Sequence, residues 1–146
     1  MNVPFFLQLL IEIAQHQSLT VSIPVLHVWT RLMSSEKIGS VDLITGFIPP
    51  LLSICTQRLT RWESLPEDTE DATVMFLNED IDTIPEKHAF VGNYRRYCSS
   101  IIESIVQKKP EEAMPHILSG VDLNLNNLYN GVPPFSGMLM VHQRRT

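Results

Sequence analysis

The amino-acid sequence predicts an all-α fold of about five antiparallel helices, and three observations support this fold class. Apolar residues recur at three- and four-residue spacing in five separate stretches of the chain. No stretch has the alternating apolar and polar pattern of a half-buried strand bounded by turn residues. Most connections between the helical stretches are short, which favours antiparallel neighbours.

The composition is that of a globular protein with a substantial core. Of the 146 residues, 44% are hydrophobic and 18% are charged. The formal net charge of -5 argues against a domain whose main function is to bind nucleic acid, because binding to the phosphate backbone needs clustered Lys and Arg. Cys55 and Cys98 are far apart in sequence and lack zinc-ligand spacing, so we expect free, buried thiols.

The first two helices are predicted at residues 3–16 and 18–34. The first is apolar on nearly every face, which is typical of a helix between neighbours. Polar residues interrupt its apolar run, and it is too short to cross a bilayer, so we expect a soluble protein rather than a targeting segment. In the second helix, Ser18 is the expected N-cap. Pro24 either kinks this helix or lies in its first turn, in which case Ser22 is the alternative N-cap.

A third helix is predicted at residues 40–61, followed by a long acidic loop. Pro49 and Pro50 lie in the middle of this helix, so we expect a kink or a break there. Residues 63–83 contain eight Asp and Glu residues and few periodic apolar residues. We therefore predict an inserted acidic loop over this stretch, with residues 73–77 packing back on the body as one short turn.

The last two helices have clear start and stop signals. Thr83 and Glu86 form the T-x-x-E pattern of a capping box at the start of a fourth helix, which ends at the QKKP sequence. A fifth helix is predicted at residues 110–129, and the NGVPPF sequence ends it. The remaining tail, residues 136–146, has no clear pattern and is predicted to be irregular.

The helical period leaves two architectures open. Helix pairs of about 40 residues match the period of HEAT or armadillo-type repeats, which predicts an α-solenoid fragment. Self-similarity between the pairs is weak, however, so a simple four- or five-helix bundle is the alternative.

Catalytic and metal-binding patterns are missing from the sequence. There is no G-x-S-x-G nucleophile elbow and no glycine-rich phosphate loop. The five histidines are scattered, with no pair at helical spacing. The NEDID sequence at residues 78–82 has alternate carboxylates but lacks the glycine and the terminal Glu of a calcium loop. We therefore predict a protein that is not an enzyme and has no catalytic, metal or cofactor site.

Charged residues in and around the acidic segment form a candidate interaction surface. Its four arginines and three carboxylate residues are Arg58, Arg61, Arg95, Arg96, Glu79, Asp80 and Asp82. Arg58 and Arg61 either pair with the acidic loop or contact a partner. In the NYRRYC sequence the tyrosines are expected to pack against neighbouring helices, while the two arginines point outward, where they can bind acidic loops or a partner.

Three segments of the chain are distinctive: SIPVLHVWTRLMSSEKIGS, FLNEDIDTIPEKHAFVGNYRRYCSSIIESIV and LNNLYNGVPPF. They resemble the exportin-5 family, especially its fungal branch, within the importin-β (karyopherin) superfamily. The resemblance runs from about residue 3 to residue 135, and the middle segment is the most specific. It implies that residues 1–135 are a HEAT-repeat segment of an exportin-like protein.

The function implied by the resemblance is that of a nuclear export receptor. Such receptors load cargo proteins, and in some lineages structured RNAs, together with Ran-GTP in the nucleus. They pass the nucleoporins of the pore and therefore shuttle between nucleus and cytoplasm. The family's principal Ran-binding repeats are N-terminal ones that this span does not include. The alternative is a HEAT or armadillo-type protein-interaction scaffold unrelated to transport.

An internal piece of a solenoid should have uncovered apolar surface at its ends. Each repeat contacts only its neighbours, and internal repeats lack polar capping faces. We therefore expect exposed apolar residues on the first and last helices, above all along Phe5, Leu9 and Ile13.

Overall fold

The computed structural model describes residues 2–38, 42–66 and 69–129, with only the backbone described at 63, 124 and 126–129. Within these ranges the chain forms α-helices, one short 3-10 helix and no strand, which confirms the all-α prediction. The α-helices are α1 (Val3–Ala14), α2 (Leu19–Ser34), α3 (Asp42–Thr45), α4 (Ile48–Gln57), α5 (Ala72–Asp80), α6 (Ile84–Lys108) and α7 (Pro110–Tyr129), and the 3-10 helix is Trp62–Ser64. This architecture is compatible with a HEAT-like α-solenoid fragment.

The chain divides into two compact units, Met1–Ala113 and Met114–Thr146. In the first unit α6 packs against α2, α4 and the 3-10 helix, while α1 packs against α2 and α4, and α5 packs against α2. The buried residues of α6 recur every three or four positions: Val91, Tyr94, Cys98, Ile101 and Ile105. Because this spacing keeps side chains on one face of a helix, α6 can present a single apolar stripe to the core.

Start signals explain the boundaries of two helices. Thr83 is the N-cap of α6, as predicted: the Glu86 backbone N–H donates to Thr83 Oγ1 at 3.4 Å, and the Thr83 hydroxyl donates to Glu86 Oε2 at 2.7 Å. At the start of α1, the Phe5 N–H donates to Asn2 Oδ1 at 3.2 Å, a cap that the sequence analysis missed. Pro24 lies inside α2 rather than in its first turn.

The third helix predicted at residues 40–61 is broken, as expected from its two prolines, but the break lies just before them. The chain forms α3 and α4 instead, separated by a turn at Gly46 and Phe47. Pro49 and Pro50 are therefore in the first turn of α4, where backbone N–H groups have no intrahelical acceptor and a missing one costs little. The predicted start at residue 40 lies outside the described residues.

The acidic loop predicted over residues 63–83 is interrupted by α5, which is longer than the single turn predicted at residues 73–77 but packs on the body as expected there. Asp71 begins this nine-residue helix, because its Oδ1 accepts hydrogen bonds from the N–H groups of Thr73 at 2.9 Å and Val74 at 3.2 Å. Thr73, Val74 and Leu77 lie on the buried face. The large apolar residues of this helix are consecutive, from Val74 to Leu77, and so define no helical period; the aspartate cap was the stronger signal.

Both cysteines are free and buried, as predicted, yet they are close in space. Cys55 on α4 and Cys98 on α6 share a hydrogen bond between their side chains. That hydrogen bond and the burial of the thiol raise the pKa of Cys55 well above its ordinary value. The neutral thiol of Cys55 is therefore part of the packing between α4 and α6.

Apolar side chains are exposed on both α1 and α7, as expected for the first and last helices. On α1 the exposed fractions are 61% for Phe5, 38% for Leu9 and 42% for Ile13. On α7 the exposed apolar residues are Met114, Leu118, Val121, Leu123 and Leu125. None of the described helices is long and apolar enough to cross a membrane.

Candidate interaction surface

Arg58, at the C-terminal end of α4, is bound to the end of α1. Its Nη2 atom donates to the carbonyl oxygens of Gln15 at 2.9 Å and His16 at 3.0 Å. Carbonyl groups at a helix C-terminus lack intrahelical partners and favour a nearby positive charge. Arg58 therefore joins α4 to α1 through backbone carbonyls.

Asp80, the last residue of α5, is bound to the start of α2. Its Oδ2 atom accepts hydrogen bonds from Thr20 Oγ1 at 2.6 Å and from Ser18 Oγ at 3.2 Å. Ser18 is the N-cap residue of α2, as predicted, but its hydroxyl makes no capping bond to its own helix. The carboxylate of Asp80 lies near the N-terminus of α2, where the helix dipole favours negative charge.

The turn between α1 and α2 is thus bound by polar residues from two other helices. Within the turn, the Ser18 N–H donates to His16 Nδ1 at 3.0 Å, and the His16 ring lies 5.8 Å from the ring of Phe76 on α5. Arg58 approaches this turn from α4, and Asp80 approaches it from α5. Two members of the predicted interaction surface therefore stabilise the fold itself.

The remaining members of the predicted surface are mostly exposed. Arg96 on α6 is exposed and donates to Asn93 Oδ1 at 2.6 Å, whereas Arg95 is half-buried. Arg61 precedes the 3-10 helix, Glu79 lies in the last turn of α5, and Asp82 lies between α5 and α6; all three are exposed. The hydrogen bonds given above for Arg58, Asp80 and Arg96 all go to residues outside the predicted set. Partner binding by the exposed residues stays a prediction.

The tyrosines of the NYRRYC sequence belong to the packing of α6 against α2. Tyr94 is fully buried, and its hydroxyl lies 2.8 Å from Ser22 Oγ. Burial raises the pKa of Tyr94 to about 12, although the hydrogen bond with Ser22 and the charge of Arg58 act in the opposite direction. Tyr97 is half-buried, with its ring centroid 4.3 Å from that of His27. These contacts confirm the packing role predicted for the tyrosines.

A cavity of about 350 Å³ lies where the 3-10 helix, α5 and the start of α6 meet. Its lining is mainly apolar, with an amide, an ammonium and an imidazole group; the residues are Trp62, Leu65, Pro66, Val74, Leu77, Asn78, Ile84, Lys87, His88 and Val91. The sequence pattern does not predict this cavity, because it indicates a loop over most of the segment. The available signal is the presence of Trp62, Leu65 and Ile84 in and beside a stretch that is otherwise acidic.

No group of three or more His, Cys, Asp or Glu in the part of the chain that the structure describes is arranged to hold a metal ion.

Comparison with known proteins identifies a family. The model of the Exportin-5 family matches residues 3–140, which is most of the chain and ends five residues beyond the resemblance seen in the sequence. An uncharacterised protein of Schizosaccharomyces pombe is 32% identical over 108 residues. That match covers 73% of this chain but 9% of the yeast protein, so the chain spans less than a tenth of this relative. No solved structure matched the chain.

Proposed function

Because the chain belongs to the Exportin-5 family, a family of karyopherin-type transport receptors rather than of enzymes, we propose that it is one segment of a nuclear export receptor. The single observation that supports this proposal is the family match over residues 3–140. In this function the segment acts by surface binding, and the complete receptor moves cargo between nucleus and cytoplasm.

The uncovered apolar helices support a place within a longer solenoid. Phe5, Leu9 and Ile13 lie on one face of α1 and are all more than a third exposed. On α7, Met114, Leu118, Val121 and Leu125 follow the spacing of a helical stripe. In a solenoid, each helix pair covers the apolar face of the next one, so neighbouring repeats are the natural cover for these residues.

The partners proposed for the receptor follow from the family and not from a contact of this segment. They are Ran-GTP bound through other repeats, cargo proteins and structured RNAs, and the nucleoporins of the pore. Within this segment, the exposed residues Arg61, Arg96, Glu79 and Asp82 are the candidates for contact with cargo. Arg58 and Asp80 are bound within the fold and are weaker candidates.

A pull-down with the full-length receptor tests the proposal. We expect the receptor to capture cargo from a nuclear extract when Ran is loaded with a non-hydrolysable GTP analogue, and to lose it when Ran is loaded with GDP. A matched receptor in which Arg61 and Arg96 are replaced by Glu should keep Ran but retain less cargo. Capture of the same partners in both nucleotide states would contradict export and support a protein-interaction scaffold unrelated to transport.

A further inference from the structure

The two cysteines of the chain are a pair of contacting thiols between two helices. Cys55 lies on the buried face of α4 and Cys98 lies on that of α6, and both are fully buried. Their side chains are hydrogen-bonded to each other, and α4 packs directly against α6. Because hydrogen-bonded thiols are already neighbours, a disulfide needs only a small approach of the two side chains.

Other polar groups lie close to the thiol pair. Tyr94 on α6 is hydrogen-bonded to Ser22 on α2, and its hydroxyl interacts electrostatically with Arg58 and with both cysteines. Among the described residues, the Nη1 atom of Arg58 is buried without a hydrogen-bond partner. An unpaired buried donor costs free energy, so the C-terminal end of α4 is held less firmly than an entirely apolar contact would be.

The closed arrangement protects the thiols from oxidation. The hydrogen bond with Cys98 and burial raise the pKa of Cys55, and the thiolate is the form of cysteine that reacts. Buried groups react with solutes when a local opening exposes them. Here the opening is a movement of the ten-residue helix α4 away from α6, and it strains the hydrogen bonds of Arg58 to the carbonyl oxygens of Gln15 and His16.

From these contacts we propose that Cys55 and Cys98 are a site of reversible oxidation, at which a peroxide converts the two thiols to a disulfide that fixes α4 to α6. Opening of α4 admits the peroxide. One thiol loses its proton and attacks a peroxide oxygen, so the O–O bond breaks, a sulfenic acid forms, and the departing hydroxide takes up the proton as water. The second thiol attacks the sulfenic sulfur, which forms the S–S bond, breaks the S–O bond and releases a second water. The two sulfur atoms together lose two electrons, and the peroxide is reduced to two water molecules.

The disulfide would constrain a large part of the first unit. It closes a loop that contains the 3-10 helix, α5 and the N-terminal part of α6. Such a cross-link restricts the unfolded chain and stabilises the folded one. A pair of cysteines that serves only as apolar packing would form no such bond under oxidation.

The proposal does not depend on the transport function. A protein-interaction scaffold could have the same pair of thiols, and a transport receptor could lack it. The oxidation experiment below and the nucleotide-dependent pull-down therefore succeed or fail separately.

Oxidation of the chain with hydrogen peroxide tests the proposal. The remaining thiols are blocked in denaturant, and the peptides are identified by mass spectrometry. The sequence has two cysteines, so we expect one pair of linked peptides, from a chain that migrates as a monomer on a non-reducing gel. Dithiothreitol should restore both thiols. The disulfide should raise the melting temperature by about 10 °C, because it restricts the unfolded chain.

Substitution of two arginines tests whether opening of α4 limits the reaction. Arg58→Ala removes the hydrogen bonds to the end of α1 and should speed disulfide formation about fivefold, because the opened form becomes more populated. Arg61→Ala is the matched control, since Arg61 is an exposed arginine beyond the end of α4, and it should leave the rate unchanged. Circular dichroism confirms that both variants are folded before their rates are compared. Cys55→Ala and Cys98→Ala should each abolish the intramolecular disulfide.

Three outcomes would overturn the proposal. The first is a folded chain that keeps both thiols at a peroxide concentration that consumes the thiols of the urea-unfolded chain. The second is an oxidised chain whose melting temperature is unchanged or lower. The third is the same rate of oxidation in the parent chain and in a folded Arg58→Ala variant. The first two measurements use the parent chain, so they decide the question even if a substituted chain does not fold.

Discussion

At the residue scale, the charged side chains of this segment differ in what they bind. Arg58 donates to two carbonyl oxygens after α1, and Asp80 accepts from two hydroxyl groups at the start of α2. Their partners are 42 to 62 positions away in the sequence, so both side chains fix the tertiary arrangement of helices. Arg61 and Arg96 are exposed, and contact of either one with a partner stays a prediction.

Replacement of Asp80 should lower stability, although the residue is exposed. We expect Asp80→Ala to reduce the free energy of unfolding by about 1 kcal/mol, because it removes the acceptor of the Thr20 and Ser18 hydroxyl groups. Glu79→Ala is the control, and it should change stability by less than about 0.5 kcal/mol. Urea denaturation of the three proteins gives the comparison. Equal midpoints for the Asp80 and Glu79 variants would contradict a structural role for Asp80.

Tyr94 should make the stability depend on pH in the alkaline range. Its pKa is raised from 10.0 to about 12 in the folded chain, so folding favours the neutral phenol. The corresponding stability is fully present below about pH 10 and is lost as the pH rises through about 12. Between pH 9 and pH 11.5, the chain should lose about 2 kcal/mol more stability than its Tyr94→Phe variant.

Urea unfolding at the two pH values measures this difference. Tyr97→Phe serves as the control for a half-buried tyrosine and should keep the pH dependence of the parent chain. The same loss in the parent chain and in Tyr94→Phe would show that Tyr94 does not cause it.

At the element scale, local capping decides where helices begin, even inside an acidic stretch. Asp71 accepts from two backbone N–H groups and begins α5. The Pro49-Pro50 pair is in the first turn of α4, because the chain turns at Gly46 and Phe47 just before it. Both features are local. The aspartate cap is a start signal inside the stretch predicted to be an acidic loop, and the turn places the expected break of the third helix before the proline pair.

Removal of the Asp71 cap should loosen α5 specifically. We expect Asp71→Ala to reduce the free energy of unfolding by about 1 kcal/mol and Asp71→Ser to recover most of it, since serine can also cap a helix. Asp82→Ala changes the same charge outside a capping position and is the matched control. Hydrogen exchange of the α5 amides, with denaturation of the whole chain, measures the effect. Equal exchange in the Asp71→Ala and Asp82→Ala variants would contradict the capping role.

At the scale of the whole molecule, uncovered apolar helices should govern association. Exposed apolar residues lie along α1 in the first unit and along α7 in the second. Large apolar surfaces of this kind are typical of interaction sites or of segments that need neighbours. The same residues that suit a solenoid should therefore make the separate chain self-associate.

Sedimentation velocity tests this expectation. The chain should form dimers or larger species as its concentration rises, and Phe5→Glu or Leu118→Glu should shift the distribution towards monomer. Met75→Glu replaces an exposed apolar residue outside α1 and α7 and should leave the distribution unchanged. A monodisperse monomer of the parent chain at high concentration would contradict the expected self-association.

The sequence by itself determined the helical class, the position of most helices and the family. These follow from local information, such as the apolar spacing of α6, the capping box at Thr83 and the three segments that resemble exportin-5 relatives. Local information also predicted free, buried cysteines and exposed apolar residues on α1.

Only the tertiary structure decided which distant residues meet. The Tyr94 hydroxyl is hydrogen-bonded to Ser22, which is 72 positions away in the sequence, and Arg58 donates to the carbonyl of Gln15, which is 43 positions away. Cys55 on α4 contacts Cys98 on α6. The cavity over Trp62 likewise depends on how the 3-10 helix, α5 and α6 pack. Helical period and capping depend on residues three or four positions apart, so they can be read from a short stretch of sequence. These contacts depend instead on how whole helices pack, and no short stretch of sequence contains that information.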